Sequence, residues 1–206
     1  MAGSLACAGS ASGGGDAGPA VGGAGAVGGG GTVAPSHEGW VRDVTPFQVL
    51  QADGTPYEHP FLGGLDVPRP QLVDIDGDGD LDLFLQERSN ELMFLENVGT
   101  ASEARFVWRT DRFAGVDIAE WYRFVDMDRD GKPDLIAEQP FSFIRYYHNV
   151  GTPEAPRFDV GADTLRLESG EPLFSDRQNI PNATDLDGDG LTDLFVGHLS
   201  GTVARY

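Results

Sequence analysis

Short apolar runs, each next to a polar loop, recur along the second part of the chain. Apolar and aromatic residues dominate segments 81–85, 134–137 and 193–196, and each segment borders a loop rich in Asp and Gly. Runs of this length with β-branched and aromatic members are typical of strands. Other short runs enter the same loops, at 71–73 and 122–125. The pattern therefore predicts strand pairs that are joined by acidic loops.

The three acidic loops share one motif. They begin at Asp74, Asp126 and Asp185, and each follows the pattern D-x-D-x-D-G-x-x-D-L. Four carboxylates within nine residues repel one another unless a hard cation holds them, and oxygen ligands at this spacing favour calcium. Positions 1, 3, 5 and 9 of each loop would bind through side chains, and position 7 would bind through its backbone carbonyl.

This scheme predicts up to three calcium ions. The predicted ligands are Asp74, Asp76, Asp78, Asp80 and Asp82 in the first loop, Asp126, Asp128, Asp130, Lys132 and Asp134 in the second, and Asp185, Asp187, Asp189, Leu191 and Asp193 in the third. Position 7 is Asp80, Lys132 or Leu191, so the Asp80 side chain is predicted to be spare.

Two other interpretations of the loops are weaker. An EF-hand needs a Glu at position 12 and flanking helices, whereas position 12 here is Leu85, Ala137 or Val196 and the flanks resemble strands. Ordinary polar turns are also rich in Asp and Gly. Three copies with one ligand pattern argue against that second interpretation.

The repeat extends beyond the loops. Asn97 and Asn149 each lie 15 residues after the ninth-position Asp and open the same Asn-Val-Gly-Thr turn. The first Asp of each loop recurs at intervals of 52 and 59 residues, which suits a propeller or a repeat array. Four strands fit each period, as in a propeller blade. Near the end of the third copy, Arg205 aligns with Arg145.

These motifs resemble the FG-GAP or VCBS repeat family, whose members include the integrin α-subunit head and bacterial surface proteins. The resemblance covers about residues 45–206 and implies an all-β fold, a β-propeller with calcium loops and the Asp ligands named above. Closed propellers have about four to eight blades. With three repeats, the last incomplete, we expect a partial propeller. The chain is then part of a larger protein, whose remaining blades belong to the rest of the parent chain, or an incomplete gene product.

The chain divides into two regions by composition. Residues 1–39 are predicted to be a disordered low-complexity linker, since segment 10–31 is almost entirely Gly, Ala, Ser and Val. Residues 40–206 form the repeat region. Segment 4–7 resembles the cleavage region of a bacterial lipoprotein, in which Cys7 would carry the lipid. The alternative is that Cys7 is an incidental cysteine among small residues. A single cysteine excludes an intrachain disulfide.

Charge and hydropathy exclude some partners and favour one location. The formal net charge is −19, and three calcium ions would add six positive charges to leave −13. Without a basic cluster, nucleic acid is not expected as a partner. The sequence has no apolar run long enough for a transmembrane helix. Weak calcium sites are filled where the ion is abundant, so we expect the protein outside the cell or in the cell envelope.

Catalytic chemistry has little support in the sequence. The four histidines are scattered without a zinc spacing, and no catalytic residue or other cofactor is predicted. Phenylalanines recur at strand positions and are predicted to pack between blades: Phe84, Phe94, Phe124, Phe143 and Phe195. An alternative is an exposed sugar-stacking face built from aromatic residues: Trp108, Trp121, Tyr146 and Tyr147.

Three functions stay open at this point. The preferred one is a calcium-stabilised propeller module at the cell surface that serves adhesion or protein interaction, with an unknown protein ligand. The second is a lectin-like propeller that binds glycan. The third is the propeller appendage of a larger secreted enzyme, with the active site elsewhere.

Overall fold

The computed structural model describes residues 42–140, 142–176 and 179–206. The predictions for residues 1–39, including the role of Cys7, lie outside these residues. Within the described part of the chain, eleven strands form three antiparallel sheets, and the one helical element is a short 3₁₀ turn at Phe113–Gly115. The predicted all-β fold is confirmed.

Each sheet is a meander in which strands pair in chain order. The first sheet contains β1 (Arg69–Val73), β2 (Asp82–Gln86), β3 (Met93–Asn97) and β4 (Phe106–Thr110). The second contains β5 (Tyr122–Val125), β6 (Asp134–Gln139), β7 (Phe143–Asn149) and β8 (Phe158–Ala162). The third contains β9 (Asn182–Thr184), β10 (Asp193–Gly197) and β11 (Val203–Arg205). Two four-stranded sheets and one three-stranded sheet are consistent with a propeller-like repeat.

The core lies between neighbouring sheets. Successive side chains on a strand face opposite sides of the sheet. On β6, Leu135 packs in a cluster with the first sheet, while Ile136 packs in a second cluster with the third sheet. On β2, Phe84 likewise faces the second sheet and Leu85 faces away from it. Burial on both faces explains why these strands are continuous apolar runs without alternation.

A segment that precedes β1 covers the outer face of the first sheet. Val44 and Leu62 pack against a buried cluster that includes Met93 and Trp108. Arg42 fixes this segment, because its guanidinium donates to the Leu62 carbonyl at 2.8 Å and pairs with Asp111 at 3.1 Å. The first sheet therefore has apolar cover on both faces.

The first strands of the first two sheets are joined through one side chain. The Gln71 amide donates to the Phe124 carbonyl at 2.8 Å and accepts from the Phe124 N–H at 2.9 Å. The Tyr122 hydroxyl also donates to the Arg69 carbonyl at 2.8 Å. These bonds fix β1 beside β5 and hold the first two acidic loops on one rim of the protein.

Strand pairing in the third sheet shows that the sequence alignment of Arg205 with Arg145 is wrong. Phe195 pairs with Arg205 across β10 and β11, just as Ile136 pairs with Tyr146 across β6 and β7. Phe195 and Ile136 each lie two residues after the ninth-position Asp. Arg205 is therefore equivalent to Tyr146, and its alignment with Arg145 is wrong by one residue. A shared Arg-Tyr dipeptide favoured that register, whereas backbone pairing determines the observed one.

Among the described residues, none of the helical structure has the length and apolar character that a membrane crossing requires.

Candidate metal-binding loops

The three acidic loops share one hydrogen-bonded frame, which starts at the first Asp. Asp74 Oδ1 accepts from the Gly77 N–H at 2.8 Å, and Oδ2 accepts from the Gly79 N–H at 3.1 Å. The third loop repeats this pair of bonds, with Asp185 accepting from loop positions 4 and 6. In the second loop, the equivalent Asp126 accepts from positions 5 and 6.

Position 4 of each loop needs a left-handed backbone. Gly77 and Gly188 have φ of 72° and 74°, which glycine adopts without strain. The second loop places Arg129 there with a φ of 62°. A non-glycine residue in this conformation costs some free energy, and it puts a long cationic side chain on the surface of the second loop.

The ninth-position Asp closes each loop from beneath. Asp82 Oδ2 accepts from the Ile75 N–H at 3.3 Å, and the equivalent carboxylates of the second and third loops accept from position 2 at 3.1 and 3.0 Å. Asp82 Oδ1 accepts from the Asn97 N–H at 2.8 Å, and Asp134 Oδ1 accepts from the Asn149 N–H at 2.7 Å. The 15-residue spacing in the sequence therefore reflects a direct hydrogen bond.

The Asn-Val-Gly-Thr turn is built around the same two asparagines. The buried Asn97 Oδ1 accepts from the N–H groups of Gly99 and Arg105, and Asn149 makes equivalent bonds. A Cβ at Gly99 or Gly151 would lie 2.2 Å from a backbone carbonyl oxygen, so no other residue fits without a backbone shift. This close approach explains the glycine of the motif.

The loops bring together most of the predicted ligands, in sets of three. Carboxylate oxygens lie within 4.8 Å of one another in these groups: Asp74, Asp76 and Asp78; Asp126, Asp128 and Asp134; Asp185, Asp187 and Asp193. A fourth group joins Asp128 and Asp130 to His148. Asp82 and Asp189 are outside these groups. Ligation by the carbonyls of Asp80, Lys132 and Leu191 stays a prediction.

Position 7 gives the loops different charges. The Asp80 side chain, which the sequence predicted to be spare, is buried, and its Oδ1 has no hydrogen-bond partner in the described part of the chain. In the second loop, Lys132 Nζ lies 2.7 Å from Asp130 Oδ2 and donates to the Gly151 carbonyl. The third loop has the apolar Leu191 there. Position 7 therefore adds a negative charge to the first loop, a positive charge to the second and no charge to the third.

The strand position twelve residues after the ninth-position Asp also differs among the loops, in the hydrogen-bond donor that it offers. In the second loop this position is Tyr146, whose hydroxyl donates to Asp134 Oδ2 at 3.0 Å. In the third loop it is Arg205, whose Nε donates to Asp193 Oδ1 at 2.8 Å and whose Nη2 pairs with Asp187. The first loop has Phe94 there, which offers no donor. This position therefore gives the first loop no hydrogen-bond donor, the second loop a hydroxyl and the third loop a guanidinium.

The pKa values follow these surroundings. Burial raises the pKa of Asp82 to about 6, although the N–H groups of Asn97 and Ile75 oppose the shift. Burial and then the Asp78 charge also raise the pKa of Asp76 and of Asp80. The surroundings therefore disfavour the ionised form of these three first-loop carboxylates.

In the other two loops, basic side chains shift the pKa of single carboxylates downwards. The hydrogen bond from Arg205 lowers the pKa of Asp187, and the bond from Lys132 lowers that of Asp130. Burial raises the pKa of Asp134, and the Asn149 N–H and the Tyr146 hydroxyl oppose the shift.

Sequence reasoning missed several groups that face the loops. Lys132 was predicted to act through its carbonyl alone, and His148, whose Nε2 lies 2.8 Å from Asp128 Oδ2 without hydrogen-bond alignment, was assigned a structural role. The contact of Arg205 with the third loop was missed because the sequence alignment was wrong by one residue. Correct strand pairing is the signal that would have revealed it.

The aromatic residues lie mostly in the core. Phe84, Phe94 and Phe124 pack between the first two sheets as predicted, whereas Phe143 contacts Phe174 and Phe195 is outside both inter-sheet clusters. The four residues of the predicted sugar-stacking face are all buried: Trp108, Trp121, Tyr146 and Tyr147. They do not form an exposed face, because each fills a hydrophobic cluster instead.

The fold and the loops together define an all-β protein of repeated antiparallel sheets with acidic connections. Residues 74–137 match a family model described as an FG-GAP-like repeat. The match spans 64 of the 206 residues, from the first Asp of the first loop through the second loop and into β6. The predicted FG-GAP resemblance is confirmed over this segment. Comparisons with curated proteins and with solved structures returned no match.

Proposed function

We propose that this chain is a non-enzymatic extracellular or cell-surface interaction module whose acidic loops bind calcium ions that stabilise the fold. The FG-GAP-like match at residues 74–137 supports an extracellular or protein-interaction role. One observation carries the calcium assignment. Each of the three loops has the same frame and holds a group of three Asp residues whose carboxylate oxygens lie within 4.8 Å of one another. Oxygen donors of this kind suit a hard cation.

The first loop is the best fit to a divalent ion. It has five Asp residues between Asp74 and Asp82, and none of them pairs with a Lys, Arg or His among the described residues. A buried carboxylate oxygen without a hydrogen-bond partner is costly when the group is ionised, and Asp80 Oδ1 is such an atom. Asp74, Asp76 and Asp78 would hold the ion, which would offset their mutual repulsion.

In this proposal the ion has a structural role. One ion would fix the loop between β1 and β2, and another would fix the equivalent loop of the next sheet. The loops on one rim would then keep a fixed shape for a protein partner. Adhesion or protein interaction at the cell surface is the function that this role serves. The glycan alternative gains no support, because its aromatic residues are buried.

Calcium titration of the full chain tests the proposal. At about 10 mM calcium, one site with a dissociation constant of about 10⁻⁴ M would add about 2.7 kcal/mol to the free energy of unfolding. For a protein of this size that corresponds to a rise in melting temperature of about 5 to 10 °C. Isothermal calorimetry would measure binding, and circular dichroism would follow melting with calcium and with chelator.

A charge-matched control separates ion binding from a general charge effect. Glu168→Gln removes one exposed carboxylate outside the loops and is expected to keep the full calcium response. Asp76→Asn removes one carboxylate inside the first loop and is expected to lose much of it. Equal melting temperatures for the wild-type protein in calcium and in chelator would contradict the proposal.

A further inference from the structure

The third loop already contains a positive group among its carboxylates. Arg205 Nη2 lies 2.7 Å from Asp193 Oδ1 and also pairs with Asp187 Oδ2, while Nε donates to Asp193 Oδ1. Asp187 and Asp193 are two of the three carboxylates whose oxygens lie within 4.8 Å of one another in this loop. The guanidinium therefore bridges two of the carboxylates that a metal ion would need.

A second arginine adds positive charge to the same loop. The Arg129 guanidinium, which extends from the second loop, donates to the Gly190 carbonyl at position 6 of the third loop. The Thr192 hydroxyl also bonds the Asp126 carbonyl, so the two loops are in direct contact. Both cationic side chains would repel a divalent ion placed at the third loop.

The first loop has neither feature. Its strand position equivalent to Arg205 is Phe94, which packs in the core against Phe84 at a ring-centroid distance of 4.9 Å. Its position 7 is the acidic Asp80, which is buried and whose Oδ1 has no hydrogen-bond partner among the described residues. The first and third loops thus share a frame and differ in the charge that faces it.

We propose that Arg205 is the resident cation of the third loop, so that the chain binds fewer than three divalent ions and binds its tightest at the first loop. The inference rests on the proposed function of these loops as calcium sites. The third-loop frame is complete without metal, because the guanidinium donates to the carboxylates that would otherwise repel one another. A divalent ion can enter only by displacing Arg205.

Counting bound calcium in the full chain tests this inference. Equilibrium dialysis and calorimetry with calcium alone would compare the wild-type protein with Arg205→Gln. The variant is expected to bind one ion more than wild type, with a dissociation constant of about 10⁻⁴ to 10⁻³ M for the added site. Its melting temperature in chelator should fall and should recover when calcium is added.

Two control variants keep the comparison specific. Arg166→Gln removes an exposed guanidinium that bonds the Gly170 carbonyl, and it should leave the ion count unchanged. Arg205→Lys keeps a positive charge at the third loop and should also keep the wild-type count. Arg205→Met, which retains an aliphatic stem, serves as a second variant in case the Gln variant folds poorly.

Each outcome decides the inference. Three ions bound to wild type, or no added ion in both neutral variants, would overturn it while calcium binding itself stands. If wild type binds no ion, the proposed function fails, although a gained site in Arg205→Gln would still support the resident-cation role. Neutral variants that fold only with calcium support the inference. Variants that do not fold at any calcium concentration would overturn it, because an ion could not then replace Arg205.

Discussion

The first and third acidic loops present the same backbone to solvent and differ in what lies beside it. In both, the first Asp accepts from glycine N–H groups at positions 4 and 6, and the ninth Asp accepts from position 2. The third loop has Arg205 against two of its carboxylates. The first loop has Phe94 at that place and the extra acidic residue Asp80.

This difference shows that one loop motif can have different charges beside it. The ten-residue motif specifies the frame, which consists of short-range bonds within the loop. A residue on a later strand determines how the frame is neutralised. On the proposal above, the loop with a nearby guanidinium is stable without an ion, whereas the loop with a phenyl ring at the equivalent position needs one.

The largest expected effect is on local opening of the two loops. Saturating calcium, at about 100 times the dissociation constant, should slow amide hydrogen exchange in residues 74–82 by about 100-fold. Exchange in residues 185–193 should change by less than about threefold, because Arg205 already pairs with two carboxylates of that loop. Exchange measured by mass spectrometry with calcium and with chelator would check this. Equal protection of both loops would remove the distinction between them.

The same substitution at position 3 should act differently in the two loops. Asp76→Asn should raise the melting temperature in chelator, since it removes a carboxylate whose pKa is raised by burial and by Asp78. In calcium it should lose most of the roughly 2.7 kcal/mol that saturating ion supplies to one site. Asp187→Asn should lower the melting temperature in both conditions, because it removes the pair with Arg205.

Thermal melting of these two variants beside Glu168→Gln would sharpen the comparison. Opposite signs in chelator for the two loops are the expected result. Destabilisation of similar size by both variants in chelator would mean that the first loop does not suffer from its own charge.

The smallest expected effect concerns position 7. Asp80→Asn should raise the melting temperature slightly in chelator, because burial and Asp78 disfavour the ionised form of this side chain. Leu191→Asn in the third loop, where no charge is removed, is the matched control. A fall in melting temperature for Asp80→Asn would show that the carboxylate makes a stabilising contact.

Local features of the sequence predicted much of this structure. Strand runs such as 134–137 and the acidic loops depend on neighbours within a few residues, and the Asn149 turn was visible from its repeated spacing. The guanidinium of Arg205 could not be placed, since its role depends on strand register and one misaligned residue moves it to the opposite face. The cover of the first sheet by Val44 was not predicted either, because irregular segments have no periodicity.

The Gln71 side chain has a consequence for association with other chains. β5 is an outer strand of its sheet, and such strands offer unpaired N–H and C=O groups to any extended peptide. The Gln71 amide donates to and accepts from Phe124 as a paired strand residue would. One side chain thus occupies two of the backbone groups through which a foreign strand could add to this edge, which disfavours pairing of another strand at Phe124.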